Sequence, residues 1–139
     1  MKKKFGEKKI HEFRRSWDIK PDPLNKNNPY HPINIETYKD LSKENIPDTE
    51  SLEDTYNRVI PYYKSNIENK LIENKNILVV AHGNSIRSLC KYLFRLDEKK
   101  ISSLEIPTGN PLNVKFDTNN KIIECNYLDK SRAKDLIVF

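Results

Sequence analysis

Glycine, cysteine and long apolar runs are all scarce in this 139-residue chain, and each shortage closes off a class of protein. Glycine occurs three times, at Gly6, Gly83 and Gly109, and no glycine-rich phosphate-cradling loop can be assembled from them. Two cysteines, Cys90 and Cys125, provide neither a disulfide framework nor a metal cluster, and no zinc-ligand spacing appears elsewhere. The longest unbroken apolar stretch covers residues 77–81, far short of the roughly 18 residues a membrane helix requires. Met1-Lys2-Lys3-Lys4 leads into charged residues, not into the apolar segment of a secretory signal. These features lead to the expectation of a soluble, cytoplasmic protein with no metal and no membrane partner.

What remains suffices for one modest core. Leu, Ile, Val and Phe together number 37 of 139 residues, above the roughly 20% below which disorder is the default. The length allows a single domain over residues 1–139. Charge is unevenly placed. The chain carries 25 Lys and Arg against 20 Asp and Glu, a net charge of +5. Residues 1–20 hold eight of those basic residues and three acids, so the whole excess lies there. Such a run is either a solvated face or a cationic wall for an anionic partner. No aromatic ladder is interleaved with it, which argues against single-stranded nucleic acid.

Along the chain, residues 4–17 read as a helix, with Phe5, Ile10, Phe13 and Trp17 on an irregular apolar side and Arg14 and Arg15 near its end. Pro21, Pro23, Pro29, Pro32 and Pro47 then break regular hydrogen bonding over 21–48, leaving one short turn near 36–41. A connection of that length without structure of its own is often a functional loop. Ser51 and Asp54 approximate a capping box. Leu52, Tyr56, Val59, Ile60, Tyr63, Ile67 and Leu71 follow at helical spacing to about Glu73, with Pro61 expected to kink the helix near Asn57. The β-branched run 77–81 reads as a strand covered on both faces, followed directly by a helix marked by Ile86, Leu89, Cys90 and Leu93. Residues 112–116 and 121–127 read as two strands, joined by a turn at Asp117-Thr118-Asn119-Asn120.

The chemistry concentrates at His82-Gly83-Asn84, between strand and helix, where open α/β sheets place their ligands. The helix start presents unpaired N–H groups and a positive dipole end, and Gly83 lets an anion approach the backbone. Asn84 can cap the helix or contact a ligand. His82 can donate to a phosphoryl oxygen or accept a phosphoryl group. Arg87, one turn on, reads as either an extra counter-charge or a surface residue. Arg14 and Arg15 suit phosphate or carboxylate because a guanidinium binds both bidentately. Each of these features also has a plain structural reading, a packed histidine or a solvated basic turn. His11 reads as a helix-face residue, His31 as loop and Cys90 as packing.

Five segments in order carry a resemblance: Phe13-Arg14-Arg15-Ser16-Trp17, Pro47-Asp48-Thr49-Glu50-Ser51-Leu52, Arg58-Val59-Ile60-Pro61-Tyr62, Ala81-His82-Gly83-Asn84-Ser85-Ile86-Arg87 and Ile106-Pro107-Thr108-Gly109. Over about residues 3–130 the chain resembles the cofactor-dependent (2,3-bisphosphoglycerate-dependent) phosphoglycerate mutases of the histidine phosphatase superfamily. The resemblance implies an α/β, three-layer fold with a mainly parallel sheet. It implies interconversion of 3-phosphoglycerate and 2-phosphoglycerate, in glycolysis and gluconeogenesis, through a phosphohistidine primed by 2,3-bisphosphoglycerate. It gives His82 the role of stabilising the phosphoryl group in flight. Gly83 and Asn84 would contact phosphate or substrate, and Arg14 and Arg15 would grip the anionic substrate.

The family's nucleophile lies in an Arg-His-Gly-Glu motif and its proton donor in a Glu-Arg-His-Tyr stretch. This sequence contains neither, and its one His-Gly pair is 82–83. The resemblance therefore implies the C-terminal portion of a mutase, with the N-terminal strands and the nucleophile outside it: a fragment, a split or decayed gene, or a truncated reading frame. Partners left open are the phosphoglycerate substrate, a second copy of the chain, and a separate N-terminal chain. The rival functions are a histidine-type phosphatase on other phosphoesters and a non-catalytic anion-binding remnant. Unpaired by its neighbours, the 77–81 strand would expose apolar surface and leave the isolated chain marginally stable at best, an expectation that a cooperative melt well above about 45 °C would contradict.

Overall fold

The computed structural model describes residues 2–133, with side chains from Gly6 onward. The chain divides into two compact units, Met1–Asp54 and Thr55–Phe139.

The first unit opens with helix α1, Lys2–Arg15, interrupted at Gly6, whose φ of 75° and ψ of 161° are not helical. Only glycine takes that conformation without steric cost. Arg14 and Arg15 occupy the last turn, where positive charge complements the helix dipole. The helix stops two residues before the expected 17. Ser16 turns its hydroxyl back onto the Glu12 carbonyl (2.7 Å), and Trp17 lies in a bend.

The proline-rich stretch is more ordered than its prolines suggest. Three 3-10 turns, Pro32–Asn34, Glu36–Tyr38 and Lys43–Asn45, stand where one turn was expected. Its two ends are tied together by Leu24 N–H to the Asp48 carbonyl (3.1 Å) and by the Thr49 hydroxyl to the Pro21 carbonyl (2.7 Å). Inside the loop, the Asn34 amide donates to the Lys26 and Asn28 carbonyls (2.8 and 2.9 Å). His31 is fully buried. Side chains thus supply the bonds that a proline-broken backbone cannot.

Helix α2 (Leu52–Tyr63) begins at the end of the first unit and continues into the second. The capping box forms as expected: Asp54 N–H donates to the Ser51 hydroxyl oxygen (3.0 Å) and Ser51 N–H to the Asp54 carboxylate (2.9 Å). Through Asn57, where the kink is expected, the α-helix is unbroken. Pro61 lies inside α2, and the irregularity follows it as one π-helical stretch, Lys64–Glu68. Ser65 and Asn66 side chains bond back to the Pro61 and Tyr62 carbonyls (2.9 and 3.1 Å), satisfying acceptors that the wider turn releases. The short helix α3 (Asn69–Ile72) ends at Asn74, left-handed with φ 57°, as C-terminal caps commonly are.

The largest departure lies at 77–81. These residues form no ladder among the described residues, and the strand expectation fails for this chain. Leu78 and Val80 are 85% and 86% exposed. A run apolar on both faces forms a strand only when sheet neighbours cover it, and the described residues supply none.

Helix α4 (Gly83–Leu93) follows, then α5 (Glu98–Ser103), an element that sequence periodicity did not reveal. Asp97 caps α5, accepting from Lys100 N–H at 2.7 Å. The two expected strands, β1 (Leu112–Phe116) and β2 (Ile122–Tyr127), pair antiparallel with Val114 opposite Cys125. Asp117 organises the connecting turn, its carboxylate accepting from Asn119 and Lys121 N–H (both 2.8 Å). Ile60, Tyr63, Cys90, Ile101, Leu104 and Tyr127 are buried, with Tyr63 and Tyr92 edge to face at 5.7 Å. The fold is mixed α/β; among the described residues its sheet is this one hairpin.

Candidate anion site at the start of helix α4

Helix α4 begins where the apolar run meets His82. The first helical bond runs from Ile86 N–H to the His82 carbonyl (3.1 Å). His82 is the N-cap, and its side chain takes the place of the usual Ser or Asp: Nδ1 accepts from Asn84 N–H at 3.3 Å. An Nδ1 that accepts this bond carries no proton of its own. With Nδ1 accepting, the neutral ring carries its proton on Nε2, which becomes a hydrogen-bond donor. His82 is exposed, so that donor is within reach of a ligand.

The amides of Gly83 and Ser85 have no intrahelical acceptor, since the first turn of any helix lacks them. Beside Gly83 the space is open: a Cβ there would meet nothing within 4 Å. Two free amides, an Nε2–H donor and the positive end of an 11-residue helix suit a phosphate group. Next to this site, Val59, Tyr62, Val79, Ala81, Ser85 and Ile86 line an open, largely apolar cavity of about 360 Å³. Its wall includes residues on both sides of His82.

Arg87 departs from its sequence reading. It is no surface residue but 96% buried, since its relative exposure is 4%. Its guanidinium donates to the Ile101 carbonyl of α5 and, at 3.4 Å, to Asn84 Oδ1. The three-residue spacing from Asn84 placed both on one helix face, and that was the available signal.

Of the sequence candidates, the structure brings His82, Gly83 and Asn84 together at one helix start. Arg14 is exposed and Arg15 half-buried at the end of α1, within the other unit. The remaining histidines differ sharply. His31, expected as a plain loop residue, has both ring nitrogens engaged: Nδ1 accepts from Ile33 N–H (3.2 Å) and Nε2–H donates to Asp48 Oδ1 (3.1 Å). It is a structural clasp. His11 lies on the exposed face of α1. Cys90 is buried, and burial first, then Cys125, pushes its thiol up to about 12, which removes it as a nucleophile at neutral pH. Among the described residues no three His, Cys, Asp or Glu side chains are grouped to hold a metal ion, and no helix is long and apolar enough to cross a membrane.

Comparison with known proteins gives a consistent result. The family described as "Histidine phosphatase superfamily (branch 1)" matches residues 20–127. A 2,3-bisphosphoglycerate-dependent phosphoglycerate mutase of Pelagibacter ubique (strain HTCC1062) is 67% identical over 139 residues, all of this chain and 58% of the relative. A protein of the same name from Buchnera aphidicola subsp. Cinara cedri (strain Cc) is 47% identical over 128 residues, 92% of this chain and 56% of the relative. Another, from Hyphomonas neptunium (strain ATCC 15444), is 42% identical over 133 residues, 96% of this chain and 55% of the relative. The chain thus spans somewhat more than half the length of the curated relatives it matches.

Proposed function

This chain belongs to the histidine phosphatase superfamily (branch 1), and from that premise we propose that it serves a phosphoglycerate mutase primed by 2,3-bisphosphoglycerate. The observation that carries the proposal is the His82 cap: one imidazole closes the helix start through Nδ1 and offers Nε2–H outward. Likeness to mutases at 67% and 47% identity supports the substrate class.

Phosphoryl transfer asks a protein mainly to position groups and to stabilise spreading negative charge. In this reading His82 Nε2–H donates to an oxygen of the migrating phosphoryl group. The Gly83 amide and the Asn84 carboxamide bind phosphate or substrate oxygens. Arg14 and Arg15 grip the anionic groups of phosphoglycerate, and the same donors suit the bisphosphoglycerate primer. The covalent half of the reaction needs a nucleophilic histidine, and residues 1–139 offer none with a fitting setting. His31 has both nitrogens committed, His11 sits on an exposed helix face, and His82 is occupied as the cap. We therefore assign the nucleophile to a segment outside these residues, in the same protein or in a complementing N-terminal chain. Strands from that segment would pair with 77–81 and complete a three-layer, mainly parallel sheet.

The test supplies that segment. The N-terminal part of the Pelagibacter relative is added as a separate polypeptide, and 3-phosphoglycerate isomerisation is measured beside release of inorganic phosphate. Isomerisation dependent on both polypeptides and on 2,3-bisphosphoglycerate is the expected result. Phosphate release without isomerisation would favour a histidine-type phosphatase. Binding of 3-phosphoglycerate without turnover would favour a non-catalytic anion-binding role.

A further inference from the structure

We propose that Arg87 is a positioning residue of the anion site, setting the orientation of the Asn84 carboxamide from within the protein. This rests on the reading of Asn84 as a phosphate or substrate contact. Arg87 sits one turn into α4 and is almost fully buried, so it does not itself reach a ligand in solvent. Its guanidinium spans two acceptors, the Ile101 carbonyl and Asn84 Oδ1. Ile101 is fully buried in α5, which makes it a fixed anchor. A guanidinium has donors only, so the amide atom facing it must be the oxygen. The Asn84 NH₂ group is thereby placed at the opposite end of the carboxamide, as a donor. The Asn84 main chain is held as well, by its N–H on His82 Nδ1. One connected path, from the Ile101 carbonyl through Arg87 and Asn84 to His82, thus fixes the two side chains proposed to meet the anion. Without the Arg87 contact the carboxamide rotates and presents either end, and part of the bound orientation must be ordered at binding.

Lysine keeps the charge but lacks the planar fork that reaches two acceptors at once, so Arg87→Lys separates orientation from charge. Four forms of the chain (unchanged, Arg87→Lys, Asn84→Ala and the double variant) are titrated with 3-phosphoglycerate by calorimetry, with thermal melts recorded alongside. Asn84→Ala is expected to weaken binding about fivefold, the worth of one net hydrogen bond. Arg87→Lys should weaken it up to the same factor, and by no further factor once Asn84 is Ala. An equal loss from Arg87→Lys in both backgrounds, or no loss in either, overturns the proposal.

Asn84→Gln provides a check that leaves the buried arginine untouched. It moves the amide by one methylene, out of the Arg87 register, and should bind as weakly as Asn84→Ala; affinity equal to the unchanged chain overturns the proposal. The underlying reading fails separately. If His82→Ala and Asn84→Ala both bind 3-phosphoglycerate like the unchanged chain, or the unchanged chain does not bind, the anion site itself is wrong. If those two weaken binding and Arg87→Lys does not, only the positioning role falls.

Discussion

Replacing Leu78 and Val80 together by serine should leave the stability of this chain almost unchanged, although both lie in its most apolar run. Burying a Leu or Val side chain fully is worth about 1.5–3 kcal/mol. At 85% and 86% exposure, about one-seventh of that is realised, some 0.2–0.4 kcal/mol per residue. The double substitution is therefore expected to cost less than about 1 kcal/mol, within reach of compensation by lower side-chain ordering. Were 77–81 a strand covered on both faces, the same change would remove two core side chains at about 2–5 kcal/mol each. Urea unfolding at constant slope separates the two cases, because a shifted midpoint reports stability alone. Light scattering gives a second readout. Exposed apolar strand-formers with open backbone groups invite association, so the serine variant should scatter less. A loss above about 3 kcal/mol, with no fall in association, would refute the exposed placement of this run. The same substitutions should then become costly once partner strands are supplied, and that contrast gives the proposal of a completed sheet its sharpest expression.

Three further outcomes follow from local geometry. The bond from Ser51 N–H, then the Lys20 ammonium, holds the Asp54 carboxyl well below its usual range, at about 2. A lowered folded-state pKa stabilises above the unfolded value and is lost on acidification. This contribution should therefore fade between about pH 4 and pH 2, and Asp54→Asn should cost about 1 kcal/mol at pH 7 while flattening that window; an unchanged pH–stability profile would contradict it. Cys90 should resist alkylation at pH 8 in the folded chain while half-buried Cys125 reacts faster; equal rates by mass spectrometry would contradict the packing assignment. Asn110 is buried and bonds Asp129 twice, donating to its carbonyl (2.8 Å) and accepting from its N–H (3.0 Å). Asn110→Ala should cost about 1–3 kcal/mol by orphaning both groups, seen as a lowered urea midpoint.

Local signals were legible in the sequence wherever the answer depended on neighbours along the chain. The Ser51–Asp54 cap, the helix after His82 and the hairpin at 112–127 all follow from spacing and turn chemistry, and all are present. What failed depended on partners distant in sequence or absent. Residues 77–81 carry a strand's composition, but a ladder requires a second strand. Pro61 signals an irregularity in its helix, but the π-helical stretch Lys64–Glu68 lies beyond the proline, where the Ser65 and Asn66 side chains hold it, and the proline alone does not announce those bonds. His31 looked like an ordinary loop residue because its partner, Asp48, lies 17 residues on. At the candidate site, His82, Gly83 and Asn84 were visible as a motif. The burial of Arg87 was not, since nothing in the sequence shows that α5 packs its carbonyl against that guanidinium.

The proposed phosphoryl site depends on the ring of one histidine. Nitrogen-15 signals of the His82 imidazole, recorded as 3-phosphoglycerate is titrated into the chain, test it most directly. The expected result is an unprotonated Nδ1 that holds its helix cap throughout, and a protonated Nε2 whose signal moves with ligand occupancy. A proton resident on Nδ1, or an Nε2 signal that stays still while phosphoglycerate binds, would contradict the claim that this side chain holds the phosphoryl group.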